Sequence, residues 1–337
     1  LIQLRTAHRV VVRLASFRAR TFAELERHAS KVDWGAVTAP GIAIHFRVTS
    51  RKSRLYHQDA IAERLERAVL GAVKGTSAIR QPSEAEELES DVTRPPAVQR
   101  FVVRVHRDEV TISADASGAL LHRRGWRRDV AKAPLRETLA AAMLLGVEWS
   151  TSEPLHDPFC GSGTIAIEAA LMARRIAPGI ARHFAVESWP MLHAAVMDQA
   201  RSDARGGESG SASVSISGSD RDPGAIKAAI ANAERAGVAT NVRFERATIS
   251  ELASMEGPGL LITNPPYGVR VGEANALRDL YATLARVWRG RRPDWRLAML
   301  SANPMLEGQM RVKFRERWQT TNGGISVRLI ESVHRDR

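Results

Sequence analysis

Asp157-Pro158-Phe159-Cys160-Gly161-Ser162-Gly163-Thr164 runs directly into Ile165-Ala166-Ile167-Glu168-Ala169-Ala170-Leu171-Met172, and the reading of this stretch decides the fold. Ile165, Ile167, Ala169, Leu171 and Met172 are apolar and alanine favours helix, so the second half predicts an amphipathic helix. The first half is then a strand end and the tight glycine turn that opens the helix. Gly161 and Gly163 permit a backbone path closed to residues with a Cβ, and the first-turn N–H groups of a helix have no partner within it. Such a place suits the polar end of a small cofactor. Taken alone the turn is ambiguous, because Gly161-Ser162-Gly163-Thr164-Ile165-Ala166 also satisfies the dinucleotide fingerprint G-x-G-x-x-G/A.

The next decisive stretch lies about a hundred residues on. Leu260-Leu261-Ile262-Thr263 predicts an apolar strand ending in Asn264-Pro265-Pro266-Tyr267-Gly268. Two successive prolines forbid helix and ladder pairing, which fixes a rigid loop at a strand's carboxyl end. Together the two motifs resemble a class I S-adenosylmethionine-dependent methyltransferase acting on an exocyclic amine. That resemblance implies a Rossmann-like α/β sheet with S-adenosylmethionine as cofactor. It also implies a catalytic set of Asn264, Pro265 and Tyr267, and cofactor contacts from Asp157, Phe159, Cys160, Gly161, Gly163, Thr164 and Asn264.

Between the motifs, residues 174–190 read as an irregular insertion and residues 191–204 as a helical run, followed by a Gly/Ser-rich loop at 206–213. Residues 213–218 predict a strand that ends in Ser219-Asp220-Arg221-Asp222-Pro223, with a helix over 224–236. An acid ending the second strand of an α/β unit is placed to take ribose hydroxyls, which makes Asp220 the cofactor acid. Glu187 stands nearer the spacing of a dinucleotide site, but Pro178-Gly179 weakens the strand before it. Asp222 caps the following helix with Pro223 at its first position. A third strand spans 241–246. Many class I methyltransferases place an aspartate near its end, against the adenine amine; here Thr248 aligns there, with Ile249 and Ser250 as substitutes. Strands at 260–263 and 296–301, a helix over 275–288, and a hairpin around Asn322-Gly323-Gly324 complete the expected α/β fold.

Upstream, residues 9–14 predict a strand, and Thr21 with Glu24 three positions on predicts a capped helix. A strand at 41–48 alternates Ile42, Ile44, Phe46 and Val48 on one face. A cationic turn, Arg51-Lys52-Ser53-Arg54, opens a helix over 59–73, and residues 81–96 are an acidic surface excursion. Two short strands, 99–106 and 109–114, flank Arg107-Asp108. Over residues 40–120 this pattern resembles the THUMP domain, an RNA-binding module attached to RNA-modifying enzymes. Residues 1–39 resemble the tail of the ferredoxin-like region that precedes it. Leu121-His122-Arg123-Arg124-Gly125-Trp126 and Lys132-Ala133-Pro134-Leu135-Arg136-Glu137 resemble the linker and first helix of bacterial THUMP guanine-N2 methyltransferases. The expected organisation is therefore a partial ferredoxin-like region (1–39), a smaller α+β THUMP-like domain (40–120), a basic linker (121–136) and a methyltransferase domain (137–337).

Charge supports a polyanion partner. Residues 1–136 hold 25 Lys and Arg against 15 Asp and Glu, so +10 of the net +12 lies there. RNA is the expected partner, ribosomal RNA ahead of tRNA, with Arg51, Lys52, Arg54, Arg123, Arg124, Arg127, Arg128 and Lys132 as candidate contacts. The alternative for the linker arginines is that they stitch the two domains together through carboxylates. One cysteine argues for a reducing compartment and no apolar run reaches spanning length, so the protein is expected in the cytoplasm and off the membrane; a monomer is the expected form. The chain opens on Leu1, which is compatible with a missing natural N-terminus.

A sulfonium cofactor carries an activated methyl, so the reaction chiefly needs positioning and exclusion of water. An aromatic exocyclic amine is a poor nucleophile. The Asn264 side-chain carbonyl and the Pro265 backbone carbonyl are expected to accept its N–H groups, and Tyr267 to stack on the flipped base. Pyrimidine-C5 chemistry would need a nucleophilic cysteine, and Cys160 sits inside the cofactor turn as a small packed residue. The 10 histidines show no metal-ligand spacing, so no catalytic metal is expected.

Overall fold

A computed structural model describes residues 1–79, 91–128, 135–267 and 274–333. The chain divides into two compact units, one of Leu1–Gly125 with Pro178–Gly206 and one of Trp126–Ala177 with Gly207–Arg337.

The first unit is built on one four-stranded sheet of β1 (Val11–Arg18), β2 (Ala43–Arg51), β3 (Val98–His106) and β4 (Glu109–Asp115), in the order β1-β4-β3-β2. β2 and β3 are parallel, and the other two pairings antiparallel. The expected boundary after residue 39 cuts across this one sheet: β1 pairs with β4 from Val11↔Asp115 to Arg18↔Glu109, with a register shift between Arg13 and Ala15. Helix α1 (Phe22–Ala29) carries the capping box read from Thr21 and Glu24. With α2 (Gln58–Ala72) it covers one sheet face, through buried Leu25, Ala29, Ile61, Leu65 and Val69. Trp34 meets Phe101 edge-on at 5.2 Å between centroids, and Phe46 stacks on Phe101 at 4.8 Å.

From Pro178 on, the insertion read at 174–190 is part of this same unit. Arg182 is 1% exposed, and its guanidinium donates to the carbonyls of Ser117, Ala119, Leu120 and Arg123. Trp189 donates from Nε1 to Gln99 Oε1 at 2.7 Å. These bonds satisfy buried backbone acceptors that the sheet cannot reach, which is why residues 178–206 leave the second unit's chain to complete the first.

The second unit is α/β. Its seven described strands are β5 (Leu155–Asp157), β6 (Ile216–Asp220), β7 (Val242–Arg246), β8 (Gly259–Thr263), β9 (Trp295–Ser301), β10 (Phe314–Asn322) and β11 (Ile325–Ser332), ordered β10-β11-β9-β8-β5-β6-β7. The core five are parallel, and β11 joins β9 antiparallel. The expected Rossmann-like sheet and terminal hairpin are present. Strand order reverses between β5 and β8, the kind of switch point at which open α/β sheets bind ligands. Helices α3 (Glu137–Gly146), α4 (Thr164–Ala173), α6 (Pro223–Arg235) and α7 (Ala274–Arg291) belong to this unit, while α5 (Ala194–Gly206) belongs to the first. Helix α4 is not amphipathic as expected: Thr164 through Leu171 are all buried. A short helix, α8 (Pro304–Met310), lies where no element was read.

Candidate active site

Everything polar at the switch point hangs from three strand ends. β5 delivers Asp157, β6 delivers Asp220 and β8 delivers Thr263 and then Asn264. Below this edge, His156 bridges β5 to β6, its ring nitrogens lying 2.8 Å from Ser217 Oγ and 3.1 Å from Ser219 Oγ. Burial pushes its pKa down to about 3, so this bridge is neutral.

The expected turn forms as read. Gly161 and Gly163 have φ of +52° and +84°, the left-handed region that favours glycine. Gly163 caps α4 with no side-chain bond, leaving that end to backbone N–H groups. A Cβ on Gly163 would lie 2.7 Å from Phe244 Cζ and 3.0 Å from Ala229 Cβ, so packing as well as ligand approach keeps this position bare. Cys160 packs on Gly218, where a Cβ would come within 2.8 Å of the Cys160 Cβ. Its thiol is buried and pushed well above the ordinary range by desolvation, which agrees with the packed, unreactive residue expected.

Asp157 is buried and accepts from Thr263 Oγ1 at 2.6 Å and from the Phe159 N–H at 3.1 Å. Desolvation raises its pKa to about 7, against the lowering effect of those two bonds and with a further rise from the Asp220 charge. Asp220 accepts the Gly161 N–H at 3.0 Å on one oxygen and the Asp222 N–H at 3.0 Å on the other. β6 runs on to Asp220 rather than stopping at 218, because Asp220 still pairs with Arg246 of β7. Asp222 caps α6, as expected.

Beyond β8, the Asn264 side-chain oxygen is buried and has no hydrogen-bond partner among the described residues. An unsatisfied buried acceptor costs on the order of 1–3 kcal/mol, which a donor from a bound molecule would recover. Pro265 is buried, and the loop after it is gripped from two sides. Tyr281 of α7 donates to the Pro266 carbonyl at 3.4 Å, and Asn322 donates to the Tyr267 hydroxyl at 2.8 Å. Neither Asn322 nor Thr263 was read as a site residue. Thr263 adjoins the motif and was open to sequence reasoning, whereas Asn322 arrives only through the β10–β11 hairpin.

Thr248 departs from expectation. It is exposed, and both its N–H and its hydroxyl bond to Glu251 Oε2 as the cap of a short turn. Its hydroxyl is thus engaged locally.

The basic candidates separate sharply. Arg51, Lys52, Arg54 and Arg128 are exposed, and Arg123 is half-buried. Arg124 is 3% exposed and donates to the carbonyls of Leu4, Arg5 and Leu121, so its assignment to RNA is corrected to that of an internal scaffold. Arg127 pairs with buried Glu137 at 3.2 Å and donates to the Leu135 carbonyl, so it meets a carboxylate as the alternative has it, but within the second unit. Lys132 lies outside the described residues. Among the described residues no cluster of His, Cys, Asp and Glu could hold a metal ion, and no helix is long and apolar enough to cross a membrane.

Comparison with known proteins follows the same geometry. The family model described as UPF0020, RMKL-like, methyltransferase domain, matches residues 124–331. The chain is 36% identical over 339 residues to the ribosomal RNA large subunit methyltransferase K/L of Syntrophotalea carbinolica, covering 97% of this chain and 46% of that protein. It is 31% identical to YpsC of Bacillus subtilis, covering 96% of this chain and 82% of YpsC. The crystal structure of SMU.472 complexed with SAH matches at a TM-score of 0.84 and 27% identity, over 100% of this chain and 86% of that one. The chain spans a little under half the length of the methyltransferase K/L relatives it matches.

Proposed function

The chain belongs to the UPF0020 family of RMKL-like methyltransferase domains, and from that membership we propose that it methylates the exocyclic N2 amine of a guanine in large-subunit ribosomal RNA, with S-adenosylmethionine as donor. The observation that carries the site assignment is the buried oxygen of Asn264 at the switch point, without a partner among the described residues. An amine N–H is the donor it lacks. The names of the K/L relatives and the basic N-terminal region support ribosomal RNA as substrate.

The residues present fit the cofactor. Asp157 and Asp220 offer carboxylates to cationic and hydroxyl groups, Gly161, Gly163 and Thr164 offer a bare backbone at a helix start, and Phe159 and Cys160 wall the turn. Thr248 would contribute through its backbone or methyl group, its hydroxyl being bonded to Glu251. When bound, the cofactor supplies a methyl group already activated on a sulfonium.

Catalysis then rests on orientation. Asn264 accepts one N–H of the target amine and the Pro265 carbonyl the other, which turns the nitrogen lone pair out of the ring's conjugation. Tyr267, held by Asn322, stacks on the base. Asn264 is an amide and cannot take a proton, so the proton released after transfer leaves to solvent.

The test is nucleoside mass spectrometry of deproteinised ribosomal RNA incubated with the protein and labelled cofactor. Labelled N2-methylguanine is expected. The same nucleoside in tRNA alone would move the substrate, N6-methyladenine in DNA would overturn the RNA reading, and no product on any nucleic acid would leave a binding protein.

A further inference from the structure

One end of the first unit's sheet carries a surface that the catalytic reading does not use. Arg51 ends β2 opposite His106, Arg107-Asp108 turns β3 into β4, and Arg18 ends β1 opposite Glu109. With Arg20, Lys52 and Arg54 these bring six exposed cations to that end. The acids there are internally occupied. Glu24 accepts the N–H groups of Arg20 and Thr21, Glu109 accepts from Ser16, and Asp108 pairs with Arg20 at 3.2 Å.

The backbone here is held in an unfavourable form. Of the six non-glycine residues with positive φ among the described residues, three lie at this end: Lys52 at 52°, Arg107 at 54° and Asp108 at 66°. A two-residue hairpin turn with both φ positive ordinarily uses Asn, Asp or Gly, so Arg107 is costly where it stands. Such a conformation persists only when its surroundings enforce it. Asp108 Oδ1 accepts the Arg54 N–H at 2.8 Å, and its own N–H donates to Ser53 Oγ at 3.1 Å. Ser53 Oγ donates to the Arg51 carbonyl at 3.0 Å, and Ser50 Oγ to the Leu55 carbonyl at 2.6 Å. The turn that presents Lys52 and Arg54 is therefore fastened to the turn that presents Arg107, with Asp108 as the pin.

An aromatic surface adjoins the cations. Tyr56 is 65% exposed, and its ring lies against His57 at 4.1 Å between centroids with a 38° tilt. Cations alone suit any polyanion, duplex included. A large exposed ring beside them adds a face on which an unpaired base can stack, and a duplex offers no such base.

We propose that this end of the sheet binds single-stranded RNA, with its phosphates on Arg51, Lys52, Arg54 and Arg107, a base on the Tyr56–His57 pair, and Asp108 shaping the site. The proposal rests on the RNA reading above and names where the substrate is gripped. It makes an unusual demand of Asp108: a carboxylate in a cationic site that strengthens anion binding.

The test measures binding of the full chain to a fluorescent single-stranded RNA 12-mer (about one 4–16-nucleotide site) and to its duplex, across salt. Tyr56→Ala should weaken single-strand binding about tenfold and leave the duplex nearly unchanged, while Tyr56→Phe retains affinity. Lys52→Ala and Arg54→Ala should each lower the salt slope by about one. Asp108→Ala should weaken binding although it removes a negative charge, and Asp108→Asn, which keeps the acceptor, should bind as well as the parent or better. Parent-like binding by both Tyr56→Ala and Asp108→Ala, or equal losses on the duplex, would overturn the proposal. Methylation of ribosomal RNA by the parent protein, measured in parallel, separates this failure from that of the function: an active parent indifferent to these substitutions refutes the site alone.

Discussion

Two sheet ends in this chain are each organised by an aspartate that accepts backbone N–H groups, yet they work in opposite regimes. At the second unit's switch point Asp157 is buried and its pKa is pushed up to about 7 by desolvation. At the first unit's edge the Arg54 N–H and Arg20 hold the partly exposed Asp108 carboxyl below its usual range. The same side chain shifts in opposite directions because water solvates one and not the other. A buried polar site concentrates its function in a few groups, each hard to replace. An exposed one spreads its function over many charges, each screened and each worth little.

That contrast breaks if a single buried group at the switch point proves dispensable. Asn264→Ala should lower the single-turnover methylation rate by about 10²-fold or more while cofactor affinity by calorimetry stays near the parent value. A near-parent rate would mean that the orphaned oxygen has no part in catalysis.

A second prediction uses the raised pKa of Asp157. In the free protein this carboxyl takes up a proton near pH 7, whereas a cationic ligand favours its ionised form, so binding below neutrality expels a proton. Cofactor affinity should fall by up to tenfold per pH unit below about 7 and level off above it, with proton release visible in calorimetry in buffers of different ionisation enthalpy. For stability the sign is the reverse. The folded-state pKa lies above the unfolded value near 3.8, so the Asp157 contribution is fully present below pH 4 and is lost as pH rises towards 7. A flat affinity profile between pH 5.5 and 8 would show that Asp157 titrates outside this window.

The smallest effect belongs to the exposed end. Arg51→Ala alone should change RNA affinity by about twofold or less at physiological salt, with the loss growing at low salt. A single-arginine loss as large as that of Asn264→Ala would erase the distinction between the two regimes.

How legible all this was from the sequence depended on how local the cause was. The glycine turn, the Asn-Pro-Pro-Tyr loop, the Thr21 capping box and the Gly323-Gly324 hairpin turn, whose φ values are +56° and +83°, each carry their reason within a few residues. Helix α4 misled because Thr164 and Glu168 look like a polar face, and only the packing around them buries every side. The linker arginines misled for a related reason. Formal charge does not say which carbonyls elsewhere lack a donor, and the partners of Arg124 lie as far off in sequence as Leu4 and Arg5. Residues 174–190 read as an irregular insertion because the contacts that order them from Pro178 on, from Arg182 to residues 117–123 and from Trp189 to Gln99, are long-range.

That insertion also has a consequence in time. A ribosome releases the chain from its N-terminus, so residues 1–125 emerge without Arg182, Trp189 or α5, and the carbonyls of Ser117, Ala119, Leu120 and Arg123 wait for donors not yet made. At about 5–20 residues per second the delay between residues 125 and 206 is on the order of 4–16 s, far longer than a helix or hairpin takes to form. The first unit is thus unfinished when its N-terminal segment has been made: its completion is tied to translation of β5 and α4, which flank the glycine turn, so no nascent chain closes the basic unit before the cofactor motif has been made.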